Sequence, residues 1–190
     1  MALDEKMYGL VLAAAGVGTW HWTIATNEVI WSANTEALFG LEKGQFDGIY
    51  ASFIALLPDE DRQRLSAAIH QTLEHDAPYE IEHRVVWPNG ETHWYLGKGS
   101  VVRDGTGHPL EMLGTTQDIT ARKKTELALV ESETRFRTVV TAMAAGLTVQ
   151  DHNDRILSGN PAAEEILGLT CGQLPASSAT CGAEYGCAHR

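Results

Sequence analysis

An α+β fold is what this sequence predicts: a five-stranded antiparallel sheet with short helices on one face, and a long helix after the last strand. Three observations carry that expectation. Leu65, Ile69 and Leu73 recur at four-residue spacing, and from Pro78 onward the apolar period falls to two. Asn89-Gly90 and the run Asp104 to Gly107 are tight-turn sequences that separate three long strand-like segments. Beyond Ile119 the pattern turns helical again, with charges alternating in sign along it.

The elements follow in order. Met7, Leu10, Val11 and Ala14 mark one side of an opening helix that Gly16 and Gly18 end. Thr19 to Ile24 alternates as a strand, Thr26-Asn27 turns, and Glu28 to Trp31 returns. Ser32 or Asn34 is placed to cap a short helix carrying Ala37, Leu38 and Phe39, which Gly40 stops. Residues 44–50 read as loop, and Phe53 to Leu57 as a short apolar segment. Pro58-Asp59-Glu60-Asp61 starts a helix, because carboxylates complement the positive end of its dipole, and one face stays apolar to about His75. Tyr79, Ile81, His83 and Val85 then alternate with Glu80, Glu82, Arg84 and Val86. Strands over Glu91–Arg103 and Leu110–Ile119 complete a meander. From there to Gly146 a helix bears Arg122, Lys123, Lys124, Glu126, Glu131, Glu133, Arg135 and Arg137 around a broken stripe of Leu127, Val130, Phe136, Val140 and Met143.

Composition narrows the function classes. The 190 residues carry 25 acidic against 14 basic side chains, a net charge of −11. A chain so acidic lacks the basic face that displaces counterions from nucleic acid, and it is repelled by anionic lipid. No apolar run reaches the ~18–20 residues needed to span a bilayer. Gly9 to Val17 is too short and follows Asp4 and Glu5, so a cytoplasmic location without membrane insertion is expected. All cysteines (Cys171, Cys181, Cys187) lie near the C-terminus, so no disulfide supports the main fold. With His189 they lack the close C-x2-C pair of a zinc site, and free thiols in a loose Ser/Ala/Cys-rich tail, with no metal, are the expectation. No Ser-His-Asp, HExxH, P-loop or GxGxxG pattern fits, so no enzyme activity is expected.

The sequence repeats itself. Ser32 to Leu41 (SANTEALFGL) matches Asn160 to Leu169 (NPAAEEILGL), and Ala14-Ala15-Gly16 recurs as Ala144-Ala145-Gly146. The spacing of about 130 residues is too long for a solenoid and indicates tandem domains. Three regions result: a domain over 1–120, a helical linker over 121–145, and over 146–190 an incomplete second domain too short to complete the meander.

These residues resemble a known family. Gly18-Thr19-Trp20-His21-Trp22, Trp31-Ser32, Phe39-Gly40-Leu41 and Pro58-Asp59-Glu60-Asp61-Arg62 are followed by Glu82-His83-Arg84-Val85-Val86, Pro88-Asn89-Gly90 and Trp94. Arg103-Asp104, Gly107, Gly114-Thr115 and Asp118-Ile119-Thr120 close the series. In that order they resemble a PAS domain of the bacterial PAS/PAC sensor type, PAS-3-like, with its signalling helix and the start of a second PAS domain. The resemblance implies a small pocket between sheet and helices, and a signal passed along the departing helix to an output domain of histidine-kinase or cyclic-di-GMP type. It leaves open a flavin- or haem-binding sensor, a sensor of some other small molecule, and a dimerisation module without ligand.

The pocket expected on that basis is formed by Trp22, Trp31, Phe39, Ile69, His70, Ile81, Trp94 and Leu113. The rings also pack well simply as core. His70, beside the Ile69 stripe, resembles the helical histidine of haem-binding members. The blue-light subclass is poorly matched. Its cysteine is missing, and where it carries a glutamine this chain has Thr116, with Gln117 one place off and facing the other side of the strand. Glu80, Glu82 and Arg84 read as a solvated sheet face with cross-strand pairing. Asp118, Ile119 and Thr120 form the expected relay, with Asp118 accepting from first-turn amides or pairing with a base on the sheet. Leu127, Val130, Phe136 and Val140 are expected to bury against a second copy in a parallel homodimer, with the opening helix adding to that surface.

Overall fold

The computed structural model describes residues 2–152 and 156–168. Helix α1 (Ala2–Ala14) leads into strands β1 (Val17–Thr23) and β2 (Glu28–Trp31). Helices α2 (Thr35–Leu38), α3 (Tyr50–Ala55) and α4 (Asp59–His75) follow. Strands β3 (Tyr79–Val86), β4 (Thr92–Arg103) and β5 (Pro109–Asp118) run into helix α5 (Thr120–Ala142). Strands β6 (Thr148–Gln150) and β7 (Ile156–Gly159) precede helix α6 (Pro161–Leu167). The main sheet is antiparallel in the order β2-β1-β5-β4-β3, so the last strand lies at its centre, between the first and the fourth.

Sheet alternation decides what is buried. Tyr79, Ile81, His83 and Val85 face inward from β3, as the two-residue period requires. Trp22, Val29, Leu57, Leu65, Ile69 and Met112 meet Tyr79 and Ile81 in one core cluster, and Phe39, Val85 and Tyr95 form a second. The β3–β4 hairpin closes through a turn in which the Gly90 amide donates to the Trp87 carbonyl, with Gly90 at φ +85°. That left-handed conformation suits glycine, which has no Cβ to clash.

Asp61 is completely buried at the start of α4. Its carboxylate accepts from the Arg84 amide (3.1 Å), Arg84 Nε (2.6 Å) and Arg64 Nη1 (2.8 Å). Burial alone would raise its pKa, but the Arg84 contacts and the Arg64 charge hold it below the usual value. Arg84 is therefore more than part of a solvated face: it fastens β3 to α4. The cross-strand reading does describe Glu80, which pairs with Lys98 at 2.9 Å.

The expected cap of α2 is built differently. Asn34 holds the N-cap position, yet its side chain donates to the Val17 carbonyl at 2.8 Å and makes no cap bond. Ser32 Oγ accepts from the Thr19 amide at 2.8 Å and contacts Thr35 Oγ1. These polar groups tie the helix to β1 instead of closing its end.

The chain divides into two units within α5, residues 1–125 and 126–190. In the second, the Leu147 amide donates to Asn160 Oδ1 at 2.8 Å and the Asn160 amide to the Leu147 carbonyl. Thr19 and Ser32 are paired in the same way in the first unit. At that same offset Gly40 (φ +70°) corresponds to Gly168 (φ +64°) after each short helix. Gly18 corresponds to Gly146, and a Cβ on either would strike the next helix, at Thr35 or Ala163. The repeat is real, but Gly146 is the counterpart of Gly18, so the match of Ala144-Ala145-Gly146 to Ala14-Ala15-Gly16 is two residues out of register. Cys171, Cys181, Cys187 and His189 lie outside the described residues.

A candidate ligand cavity and its helix junction

Between the sheet and the helices lies a cavity of about 50 Å³. Trp20, Trp22, Val29 and Trp31 line it from β1 and β2, and Phe39, Tyr50, Phe53 and Ile69 from the helical side. Tyr79, His83, Gly97, Met112 and Thr116 complete it from β3, β4 and β5. Its aromatic walls are stacked: Trp22 lies on Tyr50 within the lining with centroids 4.6 Å apart, and Phe46 backs Trp31 at 3.5 Å. Trp20 packs over two glycines, and a Cβ on Gly99 or Gly114 would come within 2.7 or 2.5 Å of its ring. Residues without side chains on the adjacent strands β4 and β5 leave the room that an indole occupies.

Polar groups in this apolar wall are few. Trp22 Nε1, Thr116 Oγ1 and both ring nitrogens of His83 are buried without a hydrogen bond of normal geometry. Burial lowers the His83 pKa to about 4, the Ile81 backbone pulling weakly the other way, so the imidazole is neutral at pH 7. Burial also raises the Tyr79 phenol above its usual range. Deeper still, the Tyr95 hydroxyl donates to the Leu38 carbonyl and accepts from Trp87 Nε1.

Four of the eight residues expected in the pocket line the cavity: Trp22, Trp31, Phe39 and Ile69. Ile81 sits in the core cluster beside it. Three stand elsewhere. His70 is on the solvent side of α4, where its Nε2 meets Glu74 at 3.2 Å, because one step along a helix from the buried Ile69 turns a side chain about 100° away. Trp94 and Leu113 lie on the outer sheet face, since each is offset by one from inward residues, Tyr95 and Met112. Arg84 and Lys123 cover the Trp94 ring from 5.6 Å. The sequence reading left nine lining residues out of the expected pocket: Trp20, Val29, Tyr50, Phe53, Tyr79, His83, Gly97, Met112 and Thr116. His83 could have been found from the alternation of β3, which puts it on the same face as Ile81.

A flavin or a haem does not fit this site as it is shaped. Sites for ligands of drug size enclose roughly 300–1,000 Å³, against about 50 Å³ here. The helical histidine faces solvent, and Thr116 lines the cavity where Gln117 is exposed.

Strand β5 links the cavity to α5 over very few residues. Thr116 is in the wall, and two positions on, Asp118 Oδ1 accepts from the Thr120 amide at 2.7 Å while Oδ2 lies 3.6 Å from His93 Nδ1. The Trp94 amide donates to Thr120 Oγ1 (2.9 Å) and its carbonyl accepts from the Ile119 amide (2.8 Å). Glu82 reaches from β3 to Arg122 at 2.5 Å and Lys123 at 2.6 Å. The Lys123 hydrogen bond is the main cause of the lowered Glu82 pKa. Farther along α5, Leu127, Val130 and Phe136 are exposed. Val140 is half-buried, in a groove with Phe136 and Asn160.

Comparison with known proteins agrees with this architecture. Residues 28–116 match the PAS fold and residues 134–187 match a PAS domain. Sensor protein FixL of Bradyrhizobium diazoefficiens is 28% identical over 153 residues, 80% of this chain and 30% of the relative. A blue-light-activated histidine kinase of Brucella ovis is 32% identical over 141 residues, 72% of this chain and 27% of the relative. The chain thus spans less than a third of the length of these relatives. Among solved structures, a sensory box histidine kinase/response regulator from Burkholderia thailandensis is 29% identical with a TM-score of 0.62, covering 69% of this chain and 98% of that one. With a PAS match on the first unit and another across most of the second, the chain belongs to the PAS-domain family.

Proposed function

We propose that this chain is the sensory part of a bacterial signal-transduction protein, non-catalytic itself, that relays the state of its cavity through α5. The observation that carries this reading is the position of β5: Thr116 lines the cavity, and Asp118 on the same strand holds the first amide of the helix. A ligand that displaces β5 by a fraction of an ångström alters that hydrogen bond, and the helix end responds by rotating or shifting. Glu82, Thr120 and Trp94 tie the same turn to the sheet, so the movement is transmitted instead of being lost in a loose joint. The output domain is of histidine-kinase or cyclic-di-GMP type, a reading supported by the names of the similar proteins. No helix among the described residues is long and apolar enough to cross a membrane. A cytoplasmic location is in keeping with that and with the acidic composition.

The working form is a parallel homodimer. Leu127, Val130 and Phe136 leave apolar surface open along α5, and pairing with the same stripe of a second copy buries it. Light scattering at tens of micromolar is expected to give a dimer for the wild type and a monomer for Leu127→Glu/Val130→Glu, with circular dichroism unchanged. A monomeric wild type, or a variant that stays dimeric, removes the helical seam. The relay is tested by Thr116→Leu, which intrudes on the cavity from β5. Exchange of the amides from Thr120 to Thr125 is expected to change about tenfold, while the α4 amides keep theirs. An unaltered first turn in the folded variant overturns the relay.

A further inference from the structure

His93 stands at the start of α5 with a carboxylate beside each of its ring nitrogens. Nδ1 lies 3.6 Å from Asp118 Oδ2, and Nε2 lies 3.6 Å from Glu91 Oε2. Both separations are just beyond hydrogen-bond range. Nδ1 is shut off from solvent and has no hydrogen-bond partner. The side chain as a whole is 19% exposed, so the ring exchanges protons with water. Nothing has to enter to satisfy Nδ1, because its partner is already beside it. The other oxygen of that partner, Asp118 Oδ1, accepts from the Thr120 amide at 2.7 Å, the first amide of α5.

A neutral imidazole has one donor and one acceptor, so it can donate to only one of these two carboxylates. With the proton on Nε2, the Nδ1 lone pair faces Asp118 Oδ2, acceptor against acceptor. Protonation turns both nitrogens into donors, each aimed at an anion. A charge-assisted bond of that kind closes to about 2.7–2.9 Å. Trp87, stacked on the imidazole at 3.8 Å, fixes the plane of the ring and so the direction of both nitrogens. The other charges around this group belong to α5: its positive end, and Lys124, which is within electrostatic reach of Glu91. Tyr95, two places along β4, is kept neutral by burial, which raises its phenol.

We propose that His93 is a proton-binding site that sets how firmly the first turn of α5 is held. The ring takes a proton from water and donates from Nδ1 to Asp118 Oδ2. That bond fixes the carboxylate whose other oxygen holds the Thr120 amide, and the turn is clamped to the sheet. When the proton leaves, Oδ2 is released, the carboxylate turns and the first turn loosens. Histidine ordinarily changes charge between about pH 5 and 8. The joint is the one the sensory reading uses, and on that reading the proton is a second input to the same helix.

Amide exchange of the purified chain, labelled with ¹⁵N, is followed by NMR at about pH 5.5, 6.5 and 7.5. Each rate is divided by the intrinsic rate of an unfolded chain at that pH. Protonation of His83 in the unfolded chain lowers protection across the whole domain as pH falls, so the first turn is compared with α4. Relative to α4, the Thr120 amide is expected to be about tenfold better protected at the lowest pH than at the highest. The His93 ring signals, assigned by substitution, should titrate with the same midpoint. His93→Gln and His93→Phe should each abolish the pH dependence, and His70→Gln should leave it intact. The proposal is overturned if the wild-type ratio is the same at every pH, or follows a midpoint other than that of His93. It is also overturned if the ratio still changes with pH in whichever His93 variant keeps the wild-type circular dichroism. Thr116→Leu separates this site from the cavity relay. A first turn that answers pH but ignores Thr116→Leu keeps the proton site and removes the relay. One that answers Thr116→Leu but ignores pH keeps the relay and removes the proton site.

Discussion

Arg84 Nε and Asp61 Oδ2 are 2.6 Å apart, joining β3 to the first turn of α4 through a carboxylate that solvent does not reach. Removing the cation leaves that carboxylate with the residue-84 amide and the half-exposed Arg64 guanidinium. Arg84→Met is expected to destabilise the first domain by about 3 kcal/mol, because an uncompensated buried charge costs more than the pair is worth. Urea unfolding at pH 7 measures it. Since folding depresses the Asp61 pKa, its contribution is full above the unfolded value near 3.8 and disappears as pH falls below it.

The pH dependence of His83 has the same sign but lies in a higher range. In the fold it stays neutral down to about 4, whereas in the unfolded chain it takes a proton near 6.5. Between those values the unfolded state binds more protons, so stability is full above 6.5 and declines as pH falls toward 4. The loss amounts to about 3 kcal/mol. Denaturation curves at pH 7, 6 and 5 should show that slope in the wild type and a flatter one in His83→Phe.

At Gly114 a single methyl group decides the fold. Its Cβ would lie 2.0 Å from the Lys98 carbonyl oxygen and 2.5 Å from Trp20 Cζ2. Neither the β4 backbone nor a packed indole can yield that distance, so Gly114→Ala should cost more than about 3 kcal/mol or prevent folding. Gly105→Ala, with open space around its Cβ, is the matched control for thermal denaturation.

Glu82 acts on the helix junction more than on the domain. Its ion pairs with Arg122 and Lys123 are partly exposed, so Glu82→Gln should alter global stability by no more than about 1 kcal/mol. Amide exchange in the first turn of α5 should nevertheless accelerate severalfold, with β3 and β4 unaffected. Unchanged exchange there would show that the Asp118 and Thr120 contacts hold the turn without it.

Much of this architecture can be read locally. The period change at Pro78 and the turn at Asn89-Gly90 place the meander, because strand alternation and hairpin turns are short-range properties. The cavity is less legible, since it depends on which side of each strand faces in. A register one residue out moved Trp94 and Leu113 from wall to outer surface. His70 went the same way on a helix. Gly97, Gly99 and Gly114 carry no hydropathic signal, and their role is visible only when Trp20, His83 and Tyr79 are placed over them. The Asp61–Arg84 tie joins residues far apart in sequence and looks like two unrelated surface charges until α4 packs on β3.

The repeated pairing of Thr19 with Ser32 and Leu147 with Asn160 gives α5 a double identity. At that offset Ala14, the last residue of α1, corresponds to Ala142, the last residue of α5. The helix that leaves the first domain is therefore also the helix that enters the second, and α1 holds before β1 the place that α5 holds before β6. On a helix shared in this way, each added residue turns the direction of its far end by about 100°, whereas seven added together restore it to within about 20°. In the proposed relay, the length of the connection is thus as much a part of the message as the residues at its two ends.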